Sequence, residues 1–355
     1  MIRFQCDYAE GAHPKILERL AETNFCQTPG YGMDEFCDHA RTMIREACEA
    51  PQSEVHFLVG GTQTNTTVIS SILRPYQGVL CASTGHIAAH ETGAIEHTGH
   101  KVITLPSYGG KIKAQDVQDA YTAHWNDGSH EHIVQPAMVY ISFPSEFGTI
   151  YSKSELEEIS AVCRRNRLPL FIDGARLGYG LTCDACDVTL PEIAKLCDVF
   201  YIGGTKQGAL FGEAVVFTNS AAEPYTGLSD CFRYNIKQNG GMLAKGRLLG
   251  IQYEVLFEKT ETGWLYTDIA ANANRHARTI REALAAKGIE FHVDSPTNQI
   301  FPVLTSAQME NIGKDFAYEV WQPLPDGRTC VRFCTSWATK TENVEALVKA
   351  IKNLF

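Results

Sequence analysis

Three short segments carry side chains whose types and spacing could do chemistry together. In Ile202-Gly203-Gly204-Thr205-Lys206-Gln207-Gly208 a lysine stands among glycines after an apolar run. A solvated surface lysine gains nothing from so tight a backbone. A lysine that forms an imine with a carbonyl cofactor does, because a confined, partly desolvated amine has a lowered pKa and becomes nucleophilic. In Phe171-Ile172-Asp173-Gly174-Ala175-Arg176 an acid closes an apolar run, at the end of a predicted strand where ligands of open α/β sheets bind. Asp is also a favoured helix N-cap. Arg176, three positions on, nevertheless gives the carboxylate a cationic, ligand-facing neighbourhood, and such an acid can hold a pyridinium N–H and keep a cofactor ring an electron sink. Gly60-Gly61-Thr62-Gln63 follows Phe57-Leu58-Val59 and precedes a helical pattern. Open amides and a hydroxyl there make a phosphate cradle at a helix N-terminus, although a tight turn explains the glycine pair equally well. Each segment alone is common. The ordered trio points to pyridoxal 5'-phosphate (PLP) carried on Lys206.

Residues this far apart need a frame that gathers them. From residue 55 to 218, short β-branched runs alternate with longer amphipathic stretches, the α/β signature. The pattern predicts strands at His56–Val59, Val79–Ala82, Lys101–Leu105, Met138–Ser142, Leu170–Asp173, Val199–Gly203 and Ala214–Thr218. Helical periodicity lies around 63–73, 87–97, 114–124, 153–166 and 190–196. A mostly parallel seven-stranded sheet flanked by helices follows. After residue 240 come two long helical stretches, near 241–259 and 263–287, then strands near 289–304 and 329–334 and a helix from Thr341. The expected division is a large domain over 1–245 and a smaller α+β domain over 246–355, with about the first 30 residues associated with the small domain. The polar stretch His124–His130 reads as a surface loop.

With 355 residues, 44% hydrophobic and 20% charged, the chain can bury a substantial core. A formal net charge of −10 without a basic stripe argues against nucleic-acid and anionic-membrane partners and favours a small molecule. No basic-then-apolar leader opens the chain, and its apolar runs are too short to cross a bilayer. Twelve scattered cysteines in such a chain are expected to be reduced, which places it in the cytoplasm. Cys183-Asp184-Ala185-Cys186 has the spacing of half a metal site, but no second pair follows, so it reads as an inert loop pair and no metal is expected.

The chain also resembles the L-threonine aldolases and their relatives among the β-eliminating lyases. The likeness runs from Phe4-Gln5-Cys6-Asp7-Tyr8 and His13-Pro14 through Tyr31-Gly32, Gly61-Thr62-Gln63-Thr64-Asn65, His86, Glu91-Thr92-Gly93-Ala94 and Asp173-Gly174-Ala175-Arg176-Leu177. It continues through Thr205-Lys206, Gly240-Gly241-Met242 and Arg332. The resemblance implies a fold-type-I PLP enzyme in which Lys206 forms the cofactor imine and Asp173 pairs with the pyridine nitrogen. Gly61, Thr62 and Thr205 hold the phosphate, with Gln63 at the same cradle, and His86 stacks on the ring. Arg176 and Arg332 flank the substrate α-carboxylate, as suits the guanidinium fork. Tyr31 comes from the neighbouring subunit, so the resemblance implies a homo-oligomer with a dimer as its minimal active unit.

Three departures mark this chain as one branch of the family. Ser142-Phe143-Pro144-Ser145-Glu146-Phe147-Gly148 lies where many members carry an Asn-Thr-His run, so a second histidine near the substrate hydroxyl is missing. Cys6 replaces the usual serine, and Leu243 a familiar Arg, leaving Lys237 or Lys245 of an adjacent chain to supply the phosphate charge. The expected reaction is aldol cleavage of a β-hydroxy-α-amino acid such as L-threonine or L-allo-threonine, with His86 or an ordered water as base. The runner-up is β-elimination on an aromatic or sulfur-containing amino acid, and transamination stands third. A silent PLP-binding module is disfavoured by both arginines, and a dinucleotide-binding dehydrogenase by the missing three-glycine fingerprint.

Overall fold

The computed structural model describes residues 1–218 and 227–353. Its main sheet has seven strands in the order Glu54–Leu58, Glu213–Phe217, Val199–Gly203, Leu170–Asp173, Gln135–Ser142, Gln77–Ala82 and Lys101–Leu105. Glu213–Phe217 runs antiparallel to both neighbours, and the other pairings are parallel. The central strands are buried along their whole length, as their unbroken apolar runs require when helices cover both faces. Alternate residues feed two separate cores. Ile172, Phe200, Ile202 and Val216 face one layer of helices, while Phe171, Tyr201, Val215 and Tyr140 face the other.

The predicted strands differ from the observed ones only by one to three residues at their ends. The helical stretch around 87–97 is instead two short helices, His86–Ala89 and Ala94–His97, because Thr92 and Gly93 adopt φ of 54° and 73° between them. Near 241–259 the helix is confined to Arg247–Leu256. The strand region near 289–304 is split into Gln299–Ile300 and Val303–Leu304 around Pro302, which has no amide proton to give to a ladder. Two helices before residue 55, Pro14–Glu22 and Glu35–Ala47, were not anticipated. The second was signalled by Asp34, whose carboxylate accepts from the Cys37 amide at 2.9 Å as an N-cap.

A smaller sheet centres on Thr329–Cys334, flanked by Val303–Leu304 and Glu319–Pro323, and is backed by helices Leu265–Ala285 and Thr341–Lys352. Ile2–Arg3 pairs with Phe316–Ala317, and Phe4 packs into the separate core behind this smaller sheet. Helix Arg247–Leu256 packs on Glu35–Ala47, with Gly250 against Cys37. All twelve cysteines are free thiols. Among the described residues no helix is long and apolar enough to cross a membrane.

Candidate active site

The parallel strands end on one edge of the sheet, and the sequence places its reactive residues just beyond those ends. Gly60 follows Glu54–Leu58, His86 follows Gln77–Ala82, Glu146 follows Gln135–Ser142, Asp173 ends its strand, and Lys206 follows Val199–Gly203. A cavity of about 330 Å³ there is lined by Gly60, Gly61, Thr62, His86, Asp173, Arg176, Thr205 and Lys206 together. It adjoins a second of about 220 Å³ that shares His86, Arg176 and Lys206 and adds Trp321 and Arg332. A larger concavity, about 900 Å³, lies against helix Leu265–Ala285. Two of its arginines are already paired, Arg278 with Asp184 and Arg281 with Asp294, Arg275 bonds Asn272, and none of the predicted cofactor or substrate residues lines it.

Tight backbone packing makes the edge. A Cβ on Gly174 would lie 1.9 Å from the Tyr201 carbonyl oxygen, so only glycine lets the turn after Asp173 press against the next strand. Gly203 then donates its amide to Gly174 at 3.0 Å, which ties the Asp173 turn to the segment that carries Lys206.

Asp173 is 3% exposed and accepts four hydrogen bonds. Tyr140 and Asn65 donate to Oδ2 at 2.6 and 3.1 Å, and Tyr201 and the Ala175 amide donate to Oδ1 at 2.5 and 3.0 Å. Burial pushes its pKa up, but the His86 charge and the two phenols outweigh this and hold it below the ordinary carboxylate value. Asp173 is therefore an anion. Asn65 also donates to Glu91 at 2.7 Å, and Glu91 meets His86 Nδ1 at 2.7 Å. Burial pulls the imidazole pKa down, yet Glu91 and Asp173 leave it raised overall. Lys206 is driven the other way, its ammonium disfavoured first by burial and then by Arg176.

The remaining predicted residues are placed as follows. The helix Gly61–Ile72 opens on the cavity, and its first amides have no carbonyl of their own helix to bond. Gln63 does not line the cavity; its side chain accepts from the Val59 amide and donates to the Asn239 carbonyl at 3.0 Å. Thr205 does line it, but its hydroxyl accepts from the Gly212 amide and donates to Glu213 at 3.1 Å. Arg176 forks onto buried Asp7 at 2.7 and 3.0 Å. Arg332 bonds Gln299 and the Gln5 carbonyl, pairs with Glu319 across the strands, and lies 5.2 Å over the Trp321 ring. Tyr31 lies elsewhere, half exposed with φ of 61°, under Lys237 at 5.2 Å. Lys245 is exposed near that surface, beside Gly246, which packs on Gly32.

Sequence reasoning missed Tyr140, Tyr201, Glu146 and Glu213. Both tyrosines sit in strands that read as apolar, and the available signal is that a buried phenol needs a partner. Glu213 opens Glu213–Phe217, is wholly enclosed, and has its pKa pushed up by burial to about 8.

A family model described as β-eliminating lyase matches residues 7–307. A low-specificity L-threonine aldolase from a Pseudomonas species is 28% identical over 357 residues, spanning 99% of this chain and 97% of the relative. A threonine aldolase structure from Leishmania major is 44% identical, with a TM-score of 0.94, over 100% of this chain and 99% of the other. An aspartate aminotransferase double mutant from Thermus thermophilus shares only the fold-type-I architecture, at 14% identity and a TM-score of 0.71, over 100% of this chain and 92% of the other. With the reactive residues gathered at one sheet edge and the match running along most of its length, this chain belongs to the β-eliminating lyase family.

Proposed function

We propose that the protein is a PLP-dependent lyase that cleaves a β-hydroxy-α-amino acid of the threonine type into glycine and an aldehyde. The observation that carries this reading is the cavity shared by Lys206, Asp173 and Arg176, with Arg332 in the adjoining one, in a chain matched end to end by the Leishmania threonine aldolase. The residues fit the cofactor. Lys206 is a buried amine whose ammonium form its surroundings disfavour, Asp173 is a buried anion, and the start of Gly61–Ile72 offers open amides to a phosphate. When bound, PLP supplies a carbonyl that takes up the substrate amine and a protonated ring that accommodates the electron pair released at Cα.

The chain's own residues do the rest. Lys206 would hold the cofactor through its amine. Asp173, fixed by four donors, holds the ring-nitrogen proton. His86, anchored through Glu91, would lie against the cofactor from the cavity wall. Arg176 and Arg332 orient the substrate carboxylate, so that the Cα–Cβ bond is the one aligned to break; such alignment is worth roughly 7–11 kcal/mol of barrier. Gly61 and Thr62 hold the phosphate through the helix start, while Thr205 contributes through its backbone position, since its hydroxyl is committed to Glu213. The active unit is a cytoplasmic homo-oligomer in which Tyr31, Lys237 and Lys245 face the partner's site. The exposed Tyr31–Lys237 stack supports this assignment. The small domain begins at about residue 246 in this reading.

The test is to incubate the PLP-loaded protein with L-threonine and with L-allo-threonine, measuring aldehyde, glycine and keto acid beside a Lys206→Ala control. Equimolar aldehyde and glycine, abolished in the control, is the expected result. Keto acid with ammonia would replace the reading with β-elimination.

A further inference from the structure

The segment Ser142–Gly148 places a carboxylate, Glu146, at the cavity that holds Lys206. Ser142 ends the strand next to Asp173, with which it is in register. Beyond it, Phe143 is fully buried, Ser145 donates its amide to the Thr149 carbonyl at 2.8 Å, and Gly148 donates back to Ser145 at 2.8 Å. This closed turn, anchored in the core, fixes the direction of Glu146. The Glu146 side chain lines both the cavity that holds Lys206 and the adjoining one toward Trp321. It is 8% exposed. Its Oε1 accepts from the His86 amide at 2.8 Å and from Ser142 Oγ at 2.6 Å. Its Oε2 takes no hydrogen bond from another side chain among the described residues, and the residue borders both cavities.

Resting on the aldolase reading above, we propose that Glu146 is the catalytic base that takes the proton of the substrate β-hydroxyl through Oε2. The proton moves from the β-oxygen to Oε2, the Cα–Cβ bond breaks with its pair left on Cα, and the β-oxygen becomes the aldehyde carbonyl. A proton then adds to Cα to give glycine, and Glu146 releases its own to solvent, so protons balance over the cycle.

His86 is the rival for this role and is less suited to it. Its Nδ1 is engaged by Glu91, and both Glu91 and Asp173 favour its protonated form. A protonated imidazole donates rather than accepts. Glu146 has the opposite bias. Burial raises its pKa, the Ser142 bond lowers it, and the net direction is upward, toward the working range of a general base. Charged groups lining the same cavities include His86 from its short helix, Asp173, Lys206, Arg176 and Glu213, with Glu319 and Arg332 in the adjoining one. Behind it lie the uncharged Tyr140, Tyr151 and Cys81.

Glycine lacks a β-hydroxyl, and this makes the proposal separable from a structural role. The experiment compares wild type, Glu146→Gln and Glu146→Ala, all PLP-loaded. It measures the cofactor absorbance band, threonine cleavage, and exchange of the glycine α-proton for deuterium by NMR. For Glu146→Gln we expect an unchanged cofactor band and glycine exchange within about threefold of wild type, with kcat for cleavage reduced about a hundred- to ten-thousandfold. Formate should restore part of the cleavage by Glu146→Ala. Cleavage by Glu146→Gln at the wild-type rate overturns the proposal and leaves the aldolase reading intact. Parallel loss of exchange and cleavage, without rescue by formate, also overturns it by making Glu146 structural. Absence of aldehyde from wild type removes the aldolase reading and the proposal together.

Discussion

Replacing Asp173 with Asn changes one atom and almost no volume, so its consequences isolate charge and hydrogen bonding. The carboxylate accepts from Tyr140, Asn65, Tyr201 and the Ala175 amide. An amide has one acceptor oxygen, which can keep two of these donors, while its NH₂ is turned against the other two. Bonds to a buried anion contribute about 1.5–3 kcal/mol each, so the loss of two predicts destabilisation of roughly 3–6 kcal/mol. That is a large fraction of the usual margin of about 5–15 kcal/mol. Urea unfolding of the cofactor-free protein at neutral pH measures it. The same substitution removes the anion proposed to hold the ring proton, and losing one charge-assisted bond in the transition state costs about 10- to 150-fold in kcat. An Asp173→Asn protein within about 1 kcal/mol of wild type would show that the four donors are not satisfied by the carboxylate, and the reasoning would fail.

Arg332→Ala should lower kcat/KM for threonine by about 2–3 kcal/mol, or roughly 30- to 150-fold, whereas His86→Asn, which can keep the bond to Glu91, should cost less than about tenfold. Steady-state kinetics decide the order, and the reverse order counts against the carboxylate clamp. Glu213→Gln tests the enclosed acid whose pKa stands at about 8 against an ordinary 4.5. Between those values the folded wild type holds a proton that the unfolded chain has lost, so wild-type stability falls as pH rises through that window. Gln has no such dependence. The Tm of the cofactor-free variant should therefore gain on wild type as pH rises from 4.5 to 8, and a pH-independent gap would refute the assignment.

The strands of the main sheet were legible because burial on both faces demands unbroken apolar runs, and each ends at a glycine, acid or turn residue. Lys206, Asp173, Gly61 and His86 were legible for the same reason, since they sit where the apolar pattern stops. What escaped notice lies inside or against the pattern. Tyr140 and Tyr201 count as core residues until their hydroxyls are seen to converge on Asp173. Thr205 and Gln63 look like ligand groups until Glu213, Val59 and Asn239 are found to occupy their polar atoms.

By itself, the sequence determined the layered α/β frame and the sheet edge on which reactive groups collect, because hydrophobic periodicity and strand-end chemistry are local properties of the chain. Only the tertiary structure decided partnership. Arg176 meets Asp7, 169 residues away, Arg332 meets Glu319 through a cross-strand register, and Glu146 reaches the cavity because a turn anchored by Phe143 aims it there. Charge state and proton-transfer role follow from burial and from neighbours brought in from distant segments, and these come into being only when the chain closes on itself.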